Sequence, residues 1–111
     1  MHTEPPAPRP GFTATVTAEA VTVVLSGEFD ITSAGFLAGC LAGVRRDRPR
    51  RLIFEATRVT FIDCAAARLI VGTDRWLPPG VRPVIVRPPL VVRRVLQVTG
   101  LDERCELVPR D

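Results

Sequence analysis

The sequence predicts an α/β fold, a mixed and mostly parallel β-sheet with helices in the order β-β-α-β-α-β-α-β. Three observations lead there. Two neighbouring segments near the start run as strands; later apolar runs are separated by stretches whose apolar residues recur at helical spacing; and those stretches carry capping signals. Strands separated by helices pair in parallel, whereas the opening two suit an antiparallel hairpin.

Residues 1–11 hold Pro5, Pro6, Pro8 and Pro10. These withhold backbone donors and keep their neighbours extended, so a disordered lead is expected. A single domain then spans residues 12–111. Phe12, Ala14 and Val16 alternate with Thr13, Thr15 and Thr17, the pattern of a strand with one face buried. A second strand runs from Val21 to Leu25, and the hairpin ends at Ser26-Gly27-Glu28-Phe29-Asp30.

Between Thr32 and Val44 the residues Phe36, Leu37, Cys40, Leu41 and Val44 mark a helical face, with Thr32 or Ser33 as cap. Leu52-Ile53-Phe54 reads as a central strand covered on both faces. A short turn follows, and Asp63 caps the next helix, whose inward stripe is Ala66, Leu69, Ile70, Thr73 and Leu77 and which stops before Pro78-Pro79-Gly80. Val84-Ile85-Val86 is another strand. Pro88-Pro89 opens a last helix carrying Val91, Val92, Val95, Leu96 and Val98; Gly100 closes it in a left-handed conformation, and Glu106-Leu107-Val108 adds a final strand.

The totals narrow the function. A chain of 111 residues, 46% hydrophobic and 24% charged, fits one domain of the usual roughly 100–150 residues. Its apolar runs fall well short of the roughly 20 residues needed to cross a bilayer. The start lacks a basic region followed by an apolar one, so neither a secretory signal nor membrane insertion is expected, and the cytoplasm is the expected location. All fifteen basic residues are arginine, which, with abundant Ala, Val and Pro, points to a GC-rich bacterial coding sequence.

The net charge of +3 and the run Arg45, Arg46, Arg48, Arg50 and Arg51 raise the question of nucleic acid. These arginines are expected at a helix C-terminus and in a solvated loop beside Pro49, where cations suit the helix dipole. No aromatic residue interleaves with them, so nucleic-acid binding is not expected. Cys40, Cys64 and Cys105 are odd in number without CxxC spacing, and the single histidine is His2. Neither zinc nor a disulfide framework fits. With no lysine and no GxxxxGK[ST] loop, neither an enzyme nor a cofactor is expected.

Leu25-Ser26-Gly27-Glu28-Phe29-Asp30 closing the second strand, Phe61-Ile62-Asp63-Cys64-Ala65-Ala66 opening the second helix, and Val91-Val92-Arg93-Arg94-Val95-Leu96-Gln97-Val98-Thr99-Gly100-Leu101-Asp102 resemble, in that order and spacing, the STAS domain of sulphate transporters and anti-sigma factor antagonists. The resemblance covers about residues 12–108. In the bacterial antagonists the helix opens Asp-Ser-Ser-Gly or Asp-Ser-Thr-Gly, and a partner anti-sigma factor that is also a kinase phosphorylates the second hydroxyl residue. By position, Asp63 matches the aspartate, Cys64 the first serine, Ala65 the phosphoacceptor and Ala66 the glycine. Glu55-Ala56-Thr57 stands where the family often has Asp-Leu-Ser.

The resemblance implies a protein-interaction module whose switch atom is missing. Its implied partner is an anti-sigma factor or another kinase-fold regulator, met by Asp30, Asp63, Cys64, Ala65, Ala66 and Arg68. An alternative implied by the same family is an accessory subunit of a bacterial lipid-type ABC transporter. Residue by residue, Asp30 and Asp63 also read as plain caps, and Cys64, at a helix start but beside Asp63, lacks a base or a resolving thiol. Cys40 and Cys105 are expected in the core. Ser33, Thr57 and Thr60 remain as accessible hydroxyls. Arg68, Arg75 and Trp76 read as residues on or beside an exposed face of the second helix, of the types that anchor interfaces, although Trp76 is expected rather to pack at the helix end near Pro78-Pro79.

Overall fold

The computed structural model describes residues 9–109. Five strands, β1 (Gly11–Val16), β2 (Val21–Phe29), β3 (Leu52–Ile62), β4 (Val84–Val86) and β5 (Glu106–Val108), form one sheet in chain order. β1 is antiparallel to β2 and the other pairings are parallel. Most of the proline-rich lead lies outside the described residues, and Gly11 already pairs with Ser26.

Three helices connect the strands: α1 (Ala34–Arg46), α2 (Cys64–Val71), extended by a 3-10 turn over Gly72–Trp76, and α3 (Leu90–Thr99). Each step from β2 to β5 crosses the sheet in the same direction, so right-handed crossovers put all three helices on one face. The cross-strand row Val23, Phe54, Ile85 and Leu107 faces that layer. It meets Leu37, Leu41 and Val44 of α1, Ala67, Ile70 and Val71 of α2, and Val92 and Leu96 of α3 in one core. Each large side chain so buried contributes about 1.5–3 kcal/mol.

The central strand is therefore covered on one face, not two. Ile53, Glu55, Val84 and Val86 are half-buried on the opposite face, and Val24 is exposed there. A continuous apolar run conceals that asymmetry, because Ile53 is sheltered by its sheet neighbours alone. β1 departs from expectation in a similar way. Only Phe12 packs against the core, whereas Ala14 and Val16 are exposed, since an edge strand reaches past the helical layer. Phe36 and Val98 also face outward, at 45% and 86% exposure.

β2 and β3 are longer than the sequence suggests. β2 continues through the residues read as a hairpin end, and β3 replaces the turn expected before Asp63. The pairing absorbs register shifts between Val24 and Ser26 and between Gly27 and Glu28. Gly27 is buried with φ +80°, a conformation that favours glycine. On β3 the buried positions change from alternate residues (Leu52, Phe54, Ala56) to every third (Val59, Ile62), which erases the period-two signature.

The helix ends follow their sequence signals. Arg45 and Arg46 sit in the last turn of α1, and Arg48, Arg50 and Arg51 are exposed beyond it. Arg48 takes φ +49° and donates its N–H to the Arg45 carbonyl at 3.1 Å. Gly100 closes α3 at φ +75°. Among the described residues no helix is long and apolar enough to cross a membrane.

Candidate functional site at the tip of the second helix

The parallel strands β2 and β3 end side by side. Phe29 is the register partner of Ile62, and the Asp63 N–H donates to the Phe29 carbonyl at 3.0 Å. Asp30 and Asp63 thus leave adjacent strand ends. Asp63 caps α2 as expected: its Oδ1 accepts the Ala66 N–H at 2.8 Å, and its carbonyl accepts the Ala67 N–H at 3.0 Å. The next residues fan out by the helical period of about 3.6 residues per turn. Cys64 and Ala65 are exposed, while Ala66 is 1% exposed and belongs to the core. Ala66, expected among the partner-facing residues, therefore supports the tip from beneath.

Asp30 organises the other strand end. Its carboxylate accepts the Thr32 N–H at 2.9 Å and the Thr32 hydroxyl at 2.6 Å. Its own N–H donates to the Ser33 hydroxyl oxygen at 2.9 Å, and that hydroxyl donates to the Asp30 carbonyl at 3.0 Å. Ser33 thus stands at the N-cap position of α1, as expected, but its side chain makes no cap bond there; Asp30 instead caps the 3-10 turn Ile31–Ser33 that leads into the helix. Ser33 is buried and fully engaged, so it is not the accessible hydroxyl that its sequence position suggests. The Thr32 hydroxyl bond holds Asp30 below the ordinary carboxylate range.

Exposed apolar residues surround these acids, and sequence reasoning missed them. Ile31 follows Asp30 at 79% exposure, and Phe61, opposite Glu28 on β3, is 43% exposed. Phe36 in the first turn of α1 and Leu90 at the start of α3 lie at the same end of the sheet, because each helix begins where a parallel strand finishes. An apolar residue beside a strand end carries no sequence signal separating core from rim. Arg68, one turn along α2, instead lines a groove of about 490 Å³ against α1 with Arg45, Arg75 and Trp76.

A protein-family model described as the STAS domain matches residues 12–110. The chain belongs to the STAS domain family. Anti-sigma-F factor antagonist RsfB of Mycobacterium tuberculosis is 28% identical to it over 83 residues, 75% of this chain and 68% of RsfB. The crystal structure of an anti-sigma factor antagonist from Mycobacterium paratuberculosis shares its fold with a TM-score of 0.81 at 24% identity, covering 91% of this chain and 86% of that one. SpoIIAA in its unphosphorylated form gives 0.73 at 24% identity over 90% of each chain. Its phosphorylated form, from Bacillus, gives 0.65 at 23% identity, covering 90% of this chain and 93% of SpoIIAA.

In this STAS chain the remaining polar groups near β3 are tied locally. Glu55 accepts the Thr57 N–H at 3.0 Å and also the Thr57 hydroxyl. Partial burial pushes Glu55 up, but those two bonds and the Arg87 charge together hold it below the usual carboxylate range. Thr57 and Thr60 are exposed. The cysteines are graded: Cys64 exposed, Cys40 half-buried and Cys105 buried, with burial pushing the Cys105 thiol up to about 11. Among the described residues no group of three or more His, Cys, Asp or Glu side chains is placed to hold a metal ion.

Proposed function

We propose that this chain is a protein-interaction module of the anti-sigma factor antagonist kind. In this reading it docks a kinase-fold anti-sigma factor through the tip of α2, performs no chemistry itself, and cannot be switched off by phosphate at residue 65. The observation that carries the reading is Ala65, an exposed methyl on a capped helix start beside Asp30 and Asp63. The apolar Ile31 and Phe61 give the same end of the sheet a surface worth burying against a partner.

A phosphate at this position would add about −1.5 to −2 charges, next to two carboxylates and within a contact that excludes water. Repulsion and desolvation would then oppose docking. SpoIIAA exists in phosphorylated and unphosphorylated forms; here Cys64, Ala65 and Ala66 offer no hydroxyl. The binding-permissive state is permanent at this position. The anti-sigma-F factor antagonist relative favours this reading over the transporter accessory subunit.

The test mixes the chain with a kinase-fold anti-sigma factor and labelled ATP. A stable complex is expected, with no label on the wild type and label after Ala65→Ser. Absence of a complex refutes the partner, and label on the unaltered chain at Thr57 or Thr60 refutes the lost switch. Co-purification with a transporter ATPase instead would select the accessory-subunit reading.

A further inference from the structure

We infer that the arginine-lined groove between α1 and α2 is a second docking surface, and that it takes an acidic segment of a partner protein carrying at least one apolar side chain. This does not rest on the reading of the helix tip. The groove stands on its own geometry and lies toward the C-terminal ends of both helices.

Two features define it. Its walls carry Arg45, Arg68 and Arg75, and among the described residues the sole ion pair is the one between Arg104 and Asp74. Arg45 and Arg68 therefore have no carboxylate at ion-pair distance among the described residues, whereas the Arg75 charge also acts on Asp74. The half-buried Trp76 lies between this groove and an adjoining one of about 420 Å³ that adds Arg48 and Arg50. Neither groove is lined by an acid. Small residues, Ala38, Ala42 and Gly72, leave room for an inserted side chain. Arg68, Arg75 and Trp76 already read from the sequence as residues on or beside an exposed face of the second helix, and the fold adds Arg45, which α1 brings to the same groove.

Arg104, on the same wall, shows how such a ligand would be held. It grips Asp74 through two N–H···O bonds of 2.9 Å each, the side-on fork that suits carboxylates. Arginines flanking an apolar floor match acidic residues interspersed with apolar ones. A nucleic-acid strand fits less well, because sequence-independent binding of single strands uses successive aromatic platforms and Trp76 is the chain's only tryptophan, with no tyrosine present.

That same uniqueness supplies the readout. A tryptophan-free peptide of alternating glutamate, aspartate and leucine is titrated into the intact chain while Trp76 emission and heat are recorded. A saturable change in emission is expected. Arg45→Ala and Arg75→Ala should each weaken binding about two- to five-fold, and added salt should weaken it further. Arg94→Ala, an exposed arginine on α3 outside the groove, should leave it unchanged. Heat without an emission change places the peptide elsewhere and overturns the proposal. Equal weakening by Arg94→Ala, tighter binding of single-stranded DNA, or no binding at all also overturns it.

Discussion

The backbone N–H of Asp63 meets the carbonyl of Phe29 at 3.0 Å, joining the entrance of α2 to the exit of β2. The Asp63 carboxylate is then free to cap the helix through Ala66 at 2.8 Å. Asp63→Ala removes that acceptor and is expected to cost about 0.5–2 kcal/mol. Denaturant melts should show the loss, and Asp63→Asn should restore most of it.

Ala65→Asp separates folding from docking. A negative charge in the first turn of a helix is favoured by the dipole by about 0.3–1 kcal/mol, so the melting temperature should hold or rise. Affinity for the kinase-fold partner should nevertheless fall at least about tenfold, equivalent to about 1.4 kcal/mol. Calorimetric titration distinguishes the two effects. An unchanged affinity removes the helix tip from the interface.

Arg48 ends α1 in the left-handed region at φ +49°, which costs a side-chain-bearing residue about 1–2 kcal/mol. Glycine relieves that strain but adds freedom to the unfolded chain worth about 0.5–1 kcal/mol. Arg48→Gly is therefore expected to stabilise the fold by about 0.5–1 kcal/mol, read as a higher midpoint of thermal unfolding.

The Arg104 side chain is 41% exposed and Asp74 21% exposed, so solvent screens their pair and keeps its contribution to stability small. The Arg104 hydrogen bonds hold Asp74 below the ordinary carboxylate range. Its contribution is thus fully present above about pH 4, the unfolded value, and is lost as pH falls through the lowered folded value. Asp74→Ala should lower stability at neutral pH, and the gap from the wild type should close in acid. Urea melts across that range check the sign.

Thiol reagents should modify the native cysteines in the order Cys64, Cys40, Cys105, following their exposure. Burial, which pushes the Cys105 thiol up to about 11, should leave it unreactive at neutral pH until the chain unfolds. Mass mapping of partially modified protein reads the order directly.

The parts of the fold legible in the sequence are those governed by local bonding. The Asp63 cap acts within three residues, Gly100 closes its own helix, and α2 presents Ala65 outward by helical phase alone. Features that depend on distant neighbours were hidden. The bulges across β2 and β3 break the alternation that would have announced an eleven-residue strand over Leu52–Ile62. The single helical layer left Ile53 half-open although its sequence neighbours are buried. The Asp74–Arg104 pair spans thirty positions of chain, and Ser33, although bonded to Asp30 only three residues away, is hidden by a burial that the sequence does not signal.

Asp63 is fastened on two sides, by the Phe29 carbonyl and by the Ala66 N–H. The freedom that a flexible loop would surrender on association has already been given up during folding. A visitor to this end of the molecule meets a rigid template, so rival partners should differ little in how fast they arrive and chiefly in how long they stay.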